Sequence, residues 1–184
     1  YYSPDRYDEG YGVSKKGIDF AHQTGVKLII ILDCGIKAIQ EIEYAKSLGI
    51  DFIICDHHVP DDVMPPAVAI LNPKRPDDPF PFKHLCGCGV GFKFMQAFAK
   101  NNNIPFSRLI PLLDFCAVSI AADIVPVVDE NRILAFHGLK LLNTNPSIGL
   151  KSIIDICGLN GRELSMSDIV FKIGPRINAS GRME

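Results

Sequence analysis

Two apolar runs of strand length, Leu28-Ile29-Ile30-Ile31-Leu32 and Phe52-Ile53-Ile54-Cys55, each end abruptly in an acid. This pair constrains the fold more than any other feature. Both runs are rich in β-branched residues, which fit the pleated surface of a strand. Between them, residues 36–48 repeat Ile39, Ile42, Ala45 and Leu48 at three-residue steps, and Gly49 follows, so a helix and its stop are predicted there. Strand, helix and strand in so short a span make a β-α-β unit, with the two strands parallel. Their carboxyl ends then share one edge, the edge along which open α/β sheets bind ligands. That edge carries Asp33-Cys34-Gly35 after the first run and Asp56-His57-His58 after the second. Carboxylates and imidazoles converging there predict a metal site.

The remaining chain fits the same class. Residues 1–12 are polar, aromatic and turn-rich, and read as a loop entering the fold. Ser14 caps a predicted helix over 14–23, with Gly25 as its stop. A third short strand is expected at 67–71. Residues 72–84 hold four prolines and form a stiff loop. Helices are then expected at 90–100, 108–122, 131–142 and 150–157. Ser165-Met166-Ser167-Asp168 resembles a capped helix start. The expected architecture is α/β: a parallel sheet core flanked by helices in residues 1–85, and a mostly helical part in 86–184.

Composition narrows the class further. With 184 residues and 47% hydrophobic content, a full core is available and an ordered chain is expected. No apolar run is long enough to span a bilayer, and no charged-apolar-small leader opens the chain. Several of the six cysteines sit inside apolar runs, so free thiols and a cytoplasmic protein are expected. A net charge of -2 argues against bulk electrostatic binding to nucleic acid and leaves room for a local basic groove. The chain opens at Tyr1 without a methionine and closes just after a Gly-Arg pair, which reads as a piece of a longer protein.

Single residues carry less than their combinations. Asp33 alone fits a helix N-cap or a loop acid as well as a ligand. Neighbouring His57 and His58 are expected to point different ways, one as a ligand and one toward substrate, with Asp56 orienting an imidazole from behind; a surface turn with two solvated histidines is the alternative. Asp123, between a buried apolar helix and Pro126, is expected in a loop, with a partner or water. Asp33, His57 and Asp123, all at strand or helix ends, are expected to approach within roughly 4–7 Å, the span of ligands around one or two ions. Asp129-Glu130-Asn131-Arg132 reads as a solvated turn with helix-capping roles. The glycines of Gly87-Cys88-Gly89-Val90-Gly91 lack the spacing of a phosphate-binding loop and read as a close approach of helix to sheet. Cys86 and Cys88 have no second Cys/His pair to complete a zinc site. Gly174-Pro175-Arg176-Ile177-Asn178-Ala179-Ser180-Gly181-Arg182 is compact and basic, and its guanidiniums suit phosphate.

Taken in order, these motifs resemble the DHH phosphoesterase superfamily and, within it, the RecJ-type single-stranded-DNA exonucleases. The resemblance runs from Tyr1-Tyr2-Ser3-Pro4-Asp5-Arg6 and Glu9-Gly10-Tyr11-Gly12 through Leu32-Asp33-Cys34-Gly35 and Asp56-His57-His58. It continues through Leu85-Cys86-Gly87-Cys88-Gly89-Val90, Ala122-Asp123-Ile124-Val125-Pro126, Glu130-Asn131-Arg132 and Gly174-Pro175-Arg176-Ile177-Asn178-Ala179. It implies a two-metal centre of manganese or magnesium that hydrolyses phosphodiesters. Asp33 would bridge the metals, His57 and Asp123 would ligate one, and Asp56 would support the site. His58, Arg176 and Asn178 would meet substrate phosphate. The implied activity is 5′-to-3′ cleavage of single-stranded DNA in repair and recombination, with single-strand-binding protein as a partner. A small-molecule phosphatase or pyrophosphatase, an oligonucleotide phosphatase, and a degenerate non-catalytic scaffold are the competing readings. The family's first motif, an Asp-x-Asp cluster on a first strand, would precede Tyr1, so these residues alone are expected to be inactive.

Overall fold

The computed structural model describes residues 2–180, so Tyr1, Gly181 and Arg182 of the motifs above lie outside the described residues. The chain divides into two units, one through Lys83 and one from His84 onward. In the first unit the helical turn α1 (Arg6–Glu9) precedes α2 (Lys15–Gln23), β1 (Leu28–Leu32), α3 (Ile39–Ser47), β2 (Asp51–Cys55) and β3 (Ala69–Leu71). The segment expected to be a plain loop thus contains one helical turn, because the Asp5 carboxylate accepts from the Tyr7 and Asp8 amides. Ser14 caps α2 through the Gly17 amide, as the sequence predicts.

The three strands are parallel in the order β1-β2-β3. Their register aligns Leu32 with Cys55 and Cys55 with Leu71. The ladder continues one step further, through Asp33 N–H to the Cys55 carbonyl and Asp56 N–H to the Leu71 carbonyl. Asp33, Asp56 and Asn72 therefore emerge in a row. Ile18 and Ala21 of α2, Ile42 and Ala45 of α3, and Phe52 and Ile54 of β2 form the core of this unit. β1 is an edge strand, and Leu28, Ile30 and Leu32 leave one apolar face exposed. Helix α3 starts three residues later than the periodicity predicts, since the Ile36 amide is taken by the Asp56 carboxylate instead of a helical turn.

The second unit is helical: α4 (Gly87–Asn101), α5 (Leu113–Ala122), α6 (Asp129–Thr144), α7 (Ile148–Ile156), α8 (Met166–Asp168) and α9 (Gly174–Ser180). The apolar stretch expected as one helix over 108–122 opens with two 3₁₀ turns, Phe106–Arg108 and Ile110–Leu112. Pro111 lacks the amide that an α-helical ladder would use there. Helix α4 begins at Gly87 rather than near residue 90, capped by the Cys86 sulfur, and the close neighbours of Gly89 are Leu85 and Cys86 rather than a sheet. Asn131, expected in a solvated turn, is buried in the first turns of α6 and donates to the His84 and Pro126 carbonyls. Ser165 and Asp168 form a capping box. The Gly174-Pro175-Arg176 motif is helical: a π turn over Ile169–Ile173 runs directly into α9. Pro175 cannot return an amide to the preceding turn, and the widened turn accommodates it. Among the described residues no helix is long and apolar enough to cross a membrane. All six cysteines are free thiols.

Candidate metal centre

The site begins with Asp33, whose backbone takes the left-handed region at φ 66° one residue beyond β1. A non-glycine residue there carries a strain of about 1–3 kcal/mol, a cost usually kept where function fixes the geometry. Gly35 follows at φ 101°, a conformation that favours glycine. This turn sets the Asp33 carboxylate against the end of β2. Its Oδ1 lies 3.0 Å from His57 Nε2. That oxygen is buried and has no hydrogen-bond partner. One ligand atom from each of Asp33, His57 and His58 falls within 4.8 Å of the others.

Two donors about 2.1 Å from one ion, at right angles, stand about 3.0 Å apart. The Asp33–His57 spacing matches that separation, and the unpartnered Asp33 oxygen has a lone pair free to ligate a cation. Carboxylate oxygen suits manganese and magnesium, and imidazole suits the transition-metal ions. The residues present therefore fit a divalent cation.

Asp56 lies behind these groups, 1% exposed. Its Oδ2 accepts from the Ile36 amide at 2.9 Å, and its Oδ1 accepts from the His57 amide at 2.7 Å and the His58 amide at 3.2 Å. Oδ1 also meets His58 Nδ1 at 2.7 Å. Burial pushes the Asp56 carboxyl up, but these hydrogen bonds outweigh it and hold the group below its ordinary value. A carboxylate that accepts a hydrogen bond from Nδ1–H leaves the Nε2 of His58 as the nitrogen that carries the lone pair. The His58 side chain is 55% exposed. The two imidazoles do not diverge as the sequence suggests. Their ring centroids are 4.6 Å apart, edge to face, because Asp56 draws the His58 ring back toward the strand end. Between the two acids, the half-buried Cys34 thiol is pushed up by burial and by the charges of Asp56 and Asp33.

Asn72 is a contributor that the sequence reading passed over as the start of a loop. It is fully buried, donates to the His58 carbonyl at 2.8 Å and accepts from the Lys74 amide at 2.9 Å. Its signal was available: it follows an apolar run just as Asp33 and Asp56 do.

Asp123, Arg176 and Asn178 belong to the second unit. Asp123 is the C-cap of α5, its amide bonded to the Ser119 carbonyl. The residue after it, Ile124, is β-branched and 80% exposed yet stands at φ 53°, a second strained backbone beside a candidate ligand. Arg176 lies on α9 with its guanidinium bonded to the Lys172 carbonyl, and Asn178 is on the same helix.

Fold and site together define an α/β domain with a candidate divalent-cation centre at the carboxyl ends of a parallel sheet. The chain belongs to the DHH family: the pattern of the DHH family, N-terminal domain, matches residues 1–120. It is similar to the single-stranded-DNA-specific exonuclease RecJ of Bacillus subtilis, 41% identical over all of this chain and 23% of that protein. The Escherichia coli RecJ is 38% identical over all of this chain and 34% of its own length. A crystal structure of exonuclease RecJ bound to manganese superposes with a TM-score of 0.82 at 30% identity, covering 97% of this chain and 44% of that one. The chain thus spans about a third or less of the length of the curated relatives it matches.

Proposed function

We propose that these residues form the metal-binding part of a cytoplasmic exonuclease that hydrolyses single-stranded DNA from the 5′ end, in repair and recombination. The observation that carries this reading is the Asp33–His57–His58 cluster, with its orphaned carboxylate oxygen, on a chain 38–41% identical to two RecJ exonucleases. The exposed apolar face of β1 supports it further, since parallel sheets are normally covered on both faces in the whole protein; an Asp-x-Asp cluster, as the resemblance implies, would complete the ligand set.

In this reading Asp33 and His57 hold manganese or magnesium, and Asp123 contributes a further carboxylate. A bound pair of such ions would acidify water and neutralise charge on the scissile phosphate. The chain's own residues do the rest. Asp56 holds the His58 ring through Nδ1 and so aims it at the scissile phosphate. Asn72 holds the backbone beneath that ring. Arg176 and Asn178 bind backbone phosphate, and single-strand-binding protein delivers the strand.

The test uses a protein extended at both ends, on 5′-labelled single strands with manganese. Asp33→Asn and His57→Ala should each lower kcat by at least a hundredfold, since each ion contributes several kcal/mol of charge stabilisation. The chain of 184 residues alone should be inactive. Undiminished cleavage by either variant refutes the metal assignment. Preference for inorganic pyrophosphate or a mononucleotide over a long strand favours a small-molecule phosphatase, and inactivity on all of these a non-catalytic scaffold.

A further inference from the structure

The turn between α5 and α6, residues 123–128, is strained and has little backbone to hold it. Ile124 stands at φ 53°, and Asp129, the first residue of α6, at φ 43°. Neither is glycine, and such backbones persist only where their surroundings fix them. Among the described residues, no amide from Ile124 to Val128 bonds to a backbone carbonyl, and Pro126 has no amide to give. The helices anchor the two ends: Asp123 N–H donates to the Ser119 carbonyl at 2.9 Å, and Arg132 N–H to the Val128 carbonyl at 3.2 Å.

The middle of the turn is held by a side chain. Asn131 is fully buried, and its Nδ2 donates to the Pro126 carbonyl at 3.0 Å and to the His84 carbonyl at 2.6 Å. One amide group thus ties the turn to the chain just ahead of α4. Both of its protons go to carbonyls, and Asn131 Oδ1 is buried without a hydrogen-bond partner. The gain from the two bonds and the cost of the orphaned oxygen are of similar size and opposite sign. Asn131 therefore adds little to stability. What it fixes is geometry, because a planar amide that reaches two carbonyls leaves the turn one course. The far end of the same helix pair is fixed independently, where Gly138 lets α6 close on the Leu113 carbonyl.

We infer that Asn131 is a positioning residue for the metal centre: its bridge between the Pro126 and His84 carbonyls holds the strained turn in the conformation that presents the Asp123 carboxylate to a divalent cation. The inference rests on the ligand role proposed above for Asp123 and names what aims that ligand. Asn131 itself touches neither ion nor substrate. Partners that orient a metal ligand from behind govern affinity for the ion nearly as strongly as some ligands do.

The test measures manganese binding by isothermal titration calorimetry in the protein extended at both ends, with circular dichroism as the check of fold. Wild type is compared with Asp123→Asn, Asn131→Ser, their combination, and Ile124→Gly. Loss of an orienting partner corresponds to roughly 10- to 100-fold in metal affinity. Asn131→Ser should lose within that range, and in the combination it should lose nothing beyond Asp123→Asn alone. On 5′-labelled single strands it should cleave slowly at limiting manganese, recover at high manganese, and keep the KM of wild type for the strand. Ile124→Gly frees the same turn from an exposed position and should lose roughly 2- to 5-fold in manganese affinity; it decides the question if Asn131→Ser fails to fold. Unchanged affinity in the deciding variant, with Asp123→Asn weakened, overturns the inference and leaves the ligand role of Asp123 intact. An equal loss from Asn131→Ser with and without Asp123→Asn marks a merely structural residue and also overturns it. Unchanged affinity in Asp123→Asn removes the ligand role and the inference with it.

Discussion

Replacing Asp56 by asparagine changes one atom and should destabilise the first unit markedly. The carboxylate is buried and serves four donors: the Ile36, His57 and His58 amides and His58 Nδ1. Asparagine offers one oxygen and one NH₂ group. If its oxygen serves the histidine side, the NH₂ group meets the Ile36 amide, and two donors face each other in a buried space. In the opposite orientation three donors are stranded. Hydrogen bonds to a charged acceptor contribute about 1.5–3 kcal/mol, and a buried donor left unsatisfied costs about 1–3 kcal/mol. The favoured orientation strands one donor and weakens the rest, so the expected loss is about 2–4 kcal/mol. With a urea m-value near 2 kcal/mol/M, the midpoint should fall by about 1–2 M. Urea unfolding followed by circular dichroism reads this directly, and Asp56→Ala, which strands all four donors, should lose more. An unfolding free energy for Asp56→Asn within about 0.5 kcal/mol of wild type, the range of ordinary surface substitutions, would refute the role given to this carboxylate.

Other expectations follow from single contacts. Gly138→Ala should destabilise the second unit by about 1–3 kcal/mol despite alanine's better helix propensity, because its Cβ would sit 2.1 Å from the Leu113 carbonyl oxygen; equal thermal midpoints would contradict this. Arg162, together with the Ser165 cap and Lys172, holds the Asp168 carboxyl well below its ordinary 3.8. A depressed carboxyl stabilises the fold above its unfolded pKa and loses that contribution as pH falls toward the folded value. Asp168→Asn should therefore cost stability at pH 7 and progressively less below about pH 4, and a constant difference across pH would remove the ion-pair account. Burial pushes the Cys55 and Cys86 thiols up to about 11 and raises Cys116 as well, so these three should react with a thiol reagent at pH 8 much more slowly than the half-buried Cys88 and Cys157. All six should titrate in denaturant without reductant, and a shortfall would reveal a disulfide. Ile124→Gly should raise stability by up to about 1 kcal/mol, since the exposed isoleucine is held in a left-handed backbone that glycine adopts freely; a lower thermal midpoint would show that its side chain does more than strain the turn.

The sequence by itself determined the elements and the edge on which chemistry collects. Strand runs, the Ser14 cap and the Ser165 capping box are local, so their signals lie within a few residues of the structure they produce. The parallel arrangement follows from a crossover too long for a hairpin, and it sends Asp33 and Asp56-His57-His58 to one edge before any distance is known. Tertiary structure decided what each group does there. The level at which β1, β2 and β3 end is a property of their pairing, and it alone brings Asn72 into line with the two acids. Asp56 became the buried acceptor for Ile36 because residues twenty apart meet in space. Gly138 is required by the Leu113 carbonyl on a different helix, and Asn131 is buried by carbonyls at positions 84 and 126. Local propensity carries no term for such partners, which exist only once the chain has folded.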